Sequence, residues 1–339
     1  MRSRIVLETS DRTKSALINS LDLQGESITG WFEEQVNASI SATGRTIPED
    51  VPELSDPCKL EDTASIFASL KEQNWAFTDD DTRYLTHDLH PYPAKFIPQI
   101  PAHLIARLSV PGDIVCDPFG GSATTAVEAV RLSRRAVSMD ANPLSAMIGR
   151  VKTGFMAENV RADLEQLIAA IEGHSISQDT NLSTWGMVLI DRYQKYVPEI
   201  PNAQKWFSDA ATGELALIRY LIEETTNGLA KDAALLALSR IIIRISNQDS
   251  ETRYVAVSKK VTPRLTLRAY LESLKTIMRR LQMAAIDLQY ADASFLVGDS
   301  RRDLVGAIGE NTVDLIVTSP PYPNATDYHL YHRFRLFWL

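Results

Sequence analysis

The sequence predicts an α/β protein. Its core is a doubly wound parallel sheet, with a helical insertion and a small β-α-α module ahead of it. Three observations carry this. Asp113 to Thr125 reads as a buried strand, a Gly-rich turn and the start of a helix, and a second strand follows, ending at Asp140. Val313-Asp314-Leu315-Ile316-Val317 is short, apolar and β-branched, which suits another buried strand. Between them, residues 158–291 have helical periodicity throughout.

Composition sets outer limits. The chain has 339 residues, 45% hydrophobic and 23% charged, typical of a soluble globular protein with a sizeable core. A net charge of −8 argues against broad electrostatic binding of nucleic acid while leaving room for a local basic groove. Two cysteines, Cys58 and Cys116, are too few for a disulfide framework or a zinc site, so no metal and a reducing cytoplasm are expected. Neither a signal peptide nor an apolar run long enough for a membrane span is apparent.

In chain order, Ser3 to Thr9 alternates like a strand. Ser10-Asp11 and Ser27 then cap two helices parted by Gly25. This order over residues 1–43 weakly resembles the ribbon-helix-helix DNA-binding dimers, which would aim Arg2 and Arg4 at the major groove and make the chain a homodimer. A small helical cap on the next domain fits the pattern equally well. Residues 44–60, rich in Pro, Asp and Glu, form a linker. Residues 61–157 begin with a helix near Asp62–Gln73, then His90-Pro91-Tyr92-Pro93-Ala94-Lys95-Phe96, whose prolines postpone helix until about Ile100.

The turn Asp117-Pro118-Phe119-Gly120-Gly121-Ser122 follows a strand and opens a helix. Glycines there let backbone approach a ligand, and the helix start offers free N–H groups. Asp140 stands 23 residues after Asp117, at the end of the next strand, where an acid accepts from ribose hydroxyls. Neither the dinucleotide fingerprint nor the Walker pattern matches, which points to a nucleoside cofactor without a pyrophosphate. At the other end, Ser319-Pro320-Pro321-Tyr322 stops its strand abruptly. The corner offers a hydroxyl, a carbonyl with no competing amide and an aromatic face, parts that suit gripping a flat polar ring.

Together, Asp117 to Ser122 and Ser319 to Tyr322 resemble the motifs of the S-adenosylmethionine-dependent DNA amino-methyltransferases, which modify cytosine N4 or adenine N6. His90 to Phe96 is similar to an additional cofactor motif of that family. The resemblance covers residues 75–155 and 292–339 and implies a Rossmann-like methyltransferase core. It implies that Phe119, Gly120 and Gly121 pack on the methionine part of the cofactor, with Pro118 and Ser122 in the same turn. His90, Pro91, Lys95 and Phe96 would contribute from upstream. Asp117 would lie near the ammonium group, Asp140 would hold the ribose, and Asp299 would accept from the adenine amino group. Ser319, Pro320, Pro321 and Tyr322 would be catalytic, with Tyr322 stacked on a base flipped out of double-stranded DNA. Serine at the first motif position leans toward cytosine N4, since adenine enzymes more often carry Asp or Asn there. Adenine N6, RNA as substrate, and an inactive or partner-dependent DNA-binding fragment are the alternatives. Ala123 departs from the family, which usually has glycine, and is acceptable if its φ is negative.

Two expectations concern what surrounds this core. The block 158–291 is read as an inserted subdomain. Its loop Ser246-Asn247-Gln248-Asp249-Ser250, with Lys259, Lys260, Arg264 and Arg268 beyond it, is either a DNA-contact surface or a solvated cap on a core helix. By resemblance the Ser-Pro-Pro-Tyr motif ends the fourth strand, and more strands should follow. Seventeen residues after Tyr322 can make one helix. Either a fragment or a second subunit completing the sheet is therefore expected, with Trp338 and Leu339 buried against that partner. The setting implied is a bacterial restriction-modification system or a related one.

Overall fold

β-branched and apolar runs pair into one sheet in a computed structural model that describes residues 63–176, 182–251, 253–288, 292–321 and 328–339. All of these lie in one unit, Leu54–Leu339. The ribbon-helix-helix module, the linker, Cys58 and Tyr322 fall outside the described residues.

The sheet is parallel, in the order β3-β2-β1-β4. Its strands are β1 (Ile114–Asp117), β2 (Arg135–Asp140), β3 (Ala293–Val297) and β4 (Leu315–Ile316). Chain order reverses between β1 and β4, so the carboxyl ends of those two strands form the switch point where ligands bind in open α/β sheets. Cys116 pairs with Val137 on one side and Ile316 on the other, and Val137 with Ser294, so these four side chains share a face. The opposite face carries Val115 and Ala136. It packs with Ile105 of α2 (Gln99–Leu108) and with Ala126, Val127 and Val130 of α3 (Thr124–Arg131) into one apolar core. α1 (Thr63–Glu72) precedes this layer.

α4 (Pro143–Lys152) starts with an Asn142 side-chain cap and proline at its first position, the arrangement that pre-sets a helix start. It packs on β2 and β3 and contributes Leu144, Met147, Ile148 and Val151 to a second, larger core. That core also holds the helical block: α5 (Glu158–Ile176), α6 (Trp185–Arg192), a short α7 (Ala203–Trp206), α8 (Asp209–Thr225), α9 (Gly228–Ile245) and α10 (Leu265–Leu288). The block and the sheet side of the molecule therefore share apolar packing through α4. Two glycines of the block are helical, Gly186 in α6 and Gly213 in α8. A Cβ on Gly186 would lie 2.4 Å from the Asp209 carbonyl carbon, and one on Gly213 would lie 2.5 Å from the Gly186 oxygen. The glycines sit where two helix backbones cross in contact, which a single segment cannot show.

Glu214 is buried beneath the start of α10. It accepts from the backbone N–H groups of Thr266 (3.0 Å), Leu267 (3.3 Å) and Arg264, and from Trp185 Nε1 at 2.9 Å. A carboxylate there satisfies donors that a helix N-terminus leaves unpaired. The Ser246–Ser250 loop also turns inward. Asn247 donates to the Trp206 and Lys205 carbonyls and accepts from Lys259 N, Gln248 is buried, and Lys259 Nζ donates to Ile243 O at the end of α9. Asn247 and Gln248 are spent on bonds inside the chain and Lys259 caps α9, so the contact-surface expectation loses its main readers.

α11 (Ser300–Ile308) follows β3 and has no buried residue. α12 (Tyr328–Trp338) is the single helix expected after the Ser-Pro-Pro corner. Its Trp338 was expected to bury against a partner. It is instead buried within this chain, with Phe334, against Phe207 of the helical block. The reason is amphipathic spacing: Tyr331, Phe334, Arg335 and Trp338 recur on one helix face and are covered together.

Candidate functional site

The two turns singled out in the sequence meet at the carboxyl ends of β1 and β4. Thr318 Oγ1 donates to Asp117 Oδ1 at 2.8 Å across 201 residues of sequence, joining the Gly-rich turn to the Ser-Pro-Pro corner. Asp117 is buried and also accepts from Phe119 N at 3.1 Å. Burial pushes its carboxyl up, and the bonds from Thr318 and the Phe119 amide oppose that only in part.

Every turn of the glycine loop is held. Asp140 Oδ2 accepts from Gly121 N and its Oδ1 from Asn142 N, each at 2.8 Å. Ser145 Oγ donates to Gly121 O at 2.6 Å, and Lys152 Nζ to Ser122 O at 2.7 Å. Lys152 is wholly buried, and burial pushes its amine well below its ordinary value. A Cβ on Gly120 would come within 2.1 Å of Ser138 Oγ, so that hydroxyl would have to turn away, and Gly121 has φ +50°. Ala123 sits at φ +60°, ψ +31°, so the negative φ expected of it is not what the fold adopts. The left-handed region costs an alanine roughly 1–2 kcal/mol, which the surrounding bonds absorb. Ala123→Gly is expected to raise unfolding stability by about 1 kcal/mol after the extra chain entropy of glycine, seen as a thermal midpoint a few degrees higher.

These elements enclose a cavity of about 390 Å³, within the usual size for a small-molecule site. Of the predicted residues, Lys95, Phe96, Asp117, Phe119, Gly120, Gly121, Ser122, Asp140, Ser319 and Pro321 line it. Pro118 and Pro320 flank the lining, and Pro320 is exposed. His90 and Pro91 stand back from it. His90 is fully buried with Nε2 2.8 Å from Ser239 Oγ on α9, and it ties the upstream segment to the helical block. Asp299 also lies outside the lining. It caps α11 by accepting from Arg301 N, and its pairing with the Arg301 guanidinium holds its carboxyl well below the usual range.

Sequence reasoning missed Tyr92, Thr318 and His332 as parts of the site. Tyr92 lies inside the upstream motif, and Thr318 directly precedes the Ser-Pro-Pro-Tyr corner. His332 lies in Tyr328–Arg335, whose interleaved aromatic and basic residues read either as a contact for phosphates and bases or as an amphipathic packing helix, and only its facing brings it to the cavity. Cys116 is buried beside Asp117, which pushes its thiol up to about 11, so it is a strand core residue and no nucleophile. Among the described residues, no group of three or more His, Cys, Asp or Glu is placed to hold a metal. Nor is any helix among them long and apolar enough to cross a membrane.

A family model described as DNA methylase, of the N6/N4 type, matches residues 50–148. The type II methyltransferase M.MvaI of Kocuria varians is 27% identical over 274 residues, covering 77% of this chain and 58% of that protein. The type II methyltransferase M.MjaII of Methanocaldococcus jannaschii is 24% identical over 332 residues, covering 73% of this chain and 61% of that one. The chain thus spans about three-fifths of the length of these relatives. No solved structure matches it significantly. With its glycine turn and paired acid, the chain is thus similar to the N4/N6 DNA amino-methyltransferases.

Proposed function

We propose that this chain carries the methyl-transfer site of a DNA amino-methyltransferase and that its target is cytosine N4 in double-stranded DNA. The observation that supports this best is the Thr318–Asp117 bond, which sets the Ser-Pro-Pro corner against a glycine turn over one cavity. The cavity suits S-adenosylmethionine. Gly120 and Gly121 leave their backbone bare, Asp117 and Asp140 offer acceptor oxygens, and Phe119 is 38% exposed and available to pack on a ligand. When bound, that cofactor supplies an electrophilic methyl on a sulfonium sulfur.

The exocyclic amine of a base is a poor nucleophile because its lone pair is delocalised into the ring. The Ser319 hydroxyl and the Pro320 carbonyl accept from its N–H groups and draw the nitrogen toward tetrahedral geometry. Positive charge grows on that nitrogen along the reaction, so acceptors placed in advance favour the transition state over the ground state. The amine gains a methyl and releases one proton. The base must leave the duplex first, at a cost of about a few kcal/mol. Incubation with methyl-labelled cofactor and duplex DNA, followed by nucleoside analysis, is expected to yield N4-methylcytosine. N6-methyladenine would move the target to adenine, label in RNA alone would move the substrate, and no transfer with any partner would leave only a DNA-binding role. Asp140→Ala is expected to weaken cofactor binding at least tenfold, measured by calorimetry, because it removes acceptors and frees Gly121 N.

We further infer that additional polypeptide extends the sheet beyond β4. Ile316 is 60% exposed on that strand, Val305 of α11 is 58% exposed, and among the described residues β4 pairs on one side only. A second subunit that does so should protect the β4 amides from hydrogen exchange on mixing. An N-terminal homodimer is a separate proposal, tested by the oligomeric state of a chain lacking residues 1–43.

A further inference from the structure

His332 is a ligand-facing residue without a ligand role in the reading above. It is 1% exposed and lines the cavity, yet among the described residues neither ring nitrogen has a hydrogen-bond partner. A buried imidazole left with both nitrogens unsatisfied costs free energy, and such groups are rare unless something else completes them. Its ring is fixed rather than loose, with the Tyr92 ring 4.7 Å away and the Tyr331 ring 4.8 Å away. Tyr92 in turn packs close to Gly121, its Cε1 3.5 Å from where a Cβ would stand. Histidine, tyrosine and glycine turn thus form one wall of the cavity.

Charge decides which ligand group belongs there. The lining carries two acids, Asp117 and Asp140, and one amine, Lys95. An anionic group is repelled by the acids and driven toward the wall with donors. The buried guanidinium of Arg335 lies one turn along the helix, bonded to Glu251 at 2.5 Å. Burial first, and the Arg335 charge second, push the His332 imidazole down to about 3, so it is neutral and keeps one N–H to donate.

We propose that the His332 imidazole donates a hydrogen bond to the α-carboxylate at the amino-acid end of the cofactor. This rests on the S-adenosylmethionine reading of the cavity. It gives α12, a helix that otherwise serves packing, a direct part in selecting a ligand with a free carboxylate.

Calorimetry on the full chain tests it with two probes: S-adenosylhomocysteine and its decarboxylated analogue, which keeps the amine. His332→Phe is expected to weaken S-adenosylhomocysteine about tenfold, the usual loss for a hydrogen bond to a charged group, and to leave the analogue unchanged. His332→Gln, which retains a donor, is expected to recover part of the loss and serves alone if the phenylalanine variant does not fold. Unchanged binding of S-adenosylhomocysteine by both variants overturns the proposal and leaves His332 to the target base. Equal weakening of both probes also overturns it, as general damage to the wall. If the unaltered chain binds neither probe, the cofactor reading itself fails and this inference falls with it.

Discussion

Ser319→Ala is expected to lower methyl transfer to DNA by about 100-fold or more while leaving cofactor affinity nearly unchanged. The asymmetry follows from where the serine stands. Ser319 lines the cavity just beyond β4, on the corner rather than the glycine turn, and the proposed mechanism assigns its hydroxyl to the amine and not to the cofactor. Its loss should therefore appear in the rate of the chemical step, because the interaction tightens only as charge builds on nitrogen. Single-turnover transfer of a labelled methyl group, with S-adenosylhomocysteine binding measured in parallel, separates the two. A rate within a few fold of the unaltered chain would take Ser319 out of the mechanism. A parallel loss of cofactor affinity would make it a packing residue of the pocket.

The largest effect on stability is expected from Glu128, far from any motif. Its carboxylate is wholly buried on α3 and accepts from Tyr84 Oη, His87 Nε2 and Arg131 Nε, each at 2.7 Å. It fastens the segment that leads into the upstream cofactor loop onto the helix that follows the glycine turn. Glu128→Ala leaves one buried and two half-buried donors without an acceptor, one of them charged, and should cost about 3–5 kcal/mol in urea unfolding. The same cluster sets an acid sensitivity. Burial lowers the His87 imidazole below its ordinary 6.5, although its bond to Glu128 pulls the other way. Burial alone would raise the Glu128 carboxyl above its ordinary 4.5, but the bond from His87 and the Arg131 charge outweigh it and hold the group below that value. Both are depressed in the fold, so the unfolded chain binds more protons and stability falls with falling pH. The His87 contribution is whole above pH 6.5 and declines below it, and the Glu128 contribution follows below pH 4.5. Glu128→Gln cannot ionise, and its unfolding curves should lack the lower decline. A variant as stable as the original would show the cluster to be dispensable.

How much of this was legible in the sequence depended on the range of the interaction. Local patterns were enough for the strands. Ala136 to Met139 and Ser294 to Val297 are found within β2 and β3, because a short β-branched run between turn residues has few other outcomes. The strand read over Val313–Val317 narrows to Leu315–Ile316. Asp314 leaves the pattern there, since its carboxylate accepts from Ile114 N at 2.8 Å. The glycine turn and the Ser-Pro-Pro corner were legible because each is a few contiguous residues whose backbone chemistry is special. The conformation of Ala123 was not, since φ at that residue is imposed by bonds from Asp140, Ser145 and Lys152 to its neighbours, and a lone alanine in a helix start would be negative.

By itself the sequence determined the α/β class, the two turns that face each other, the acid paired with the glycine loop and the family resemblance. These rest on residues close in the chain or on pairs whose types already imply their use. The tertiary structure alone decided which helix faces close the cavity, that Trp338 buries at home, that Asn247 and Gln248 turn inward rather than read, and that His332 points into the site. Each of these depends on residues about 40 to more than 200 positions apart being pressed together, where burial leaves a polar group either a partner or a vacant place that a ligand can fill.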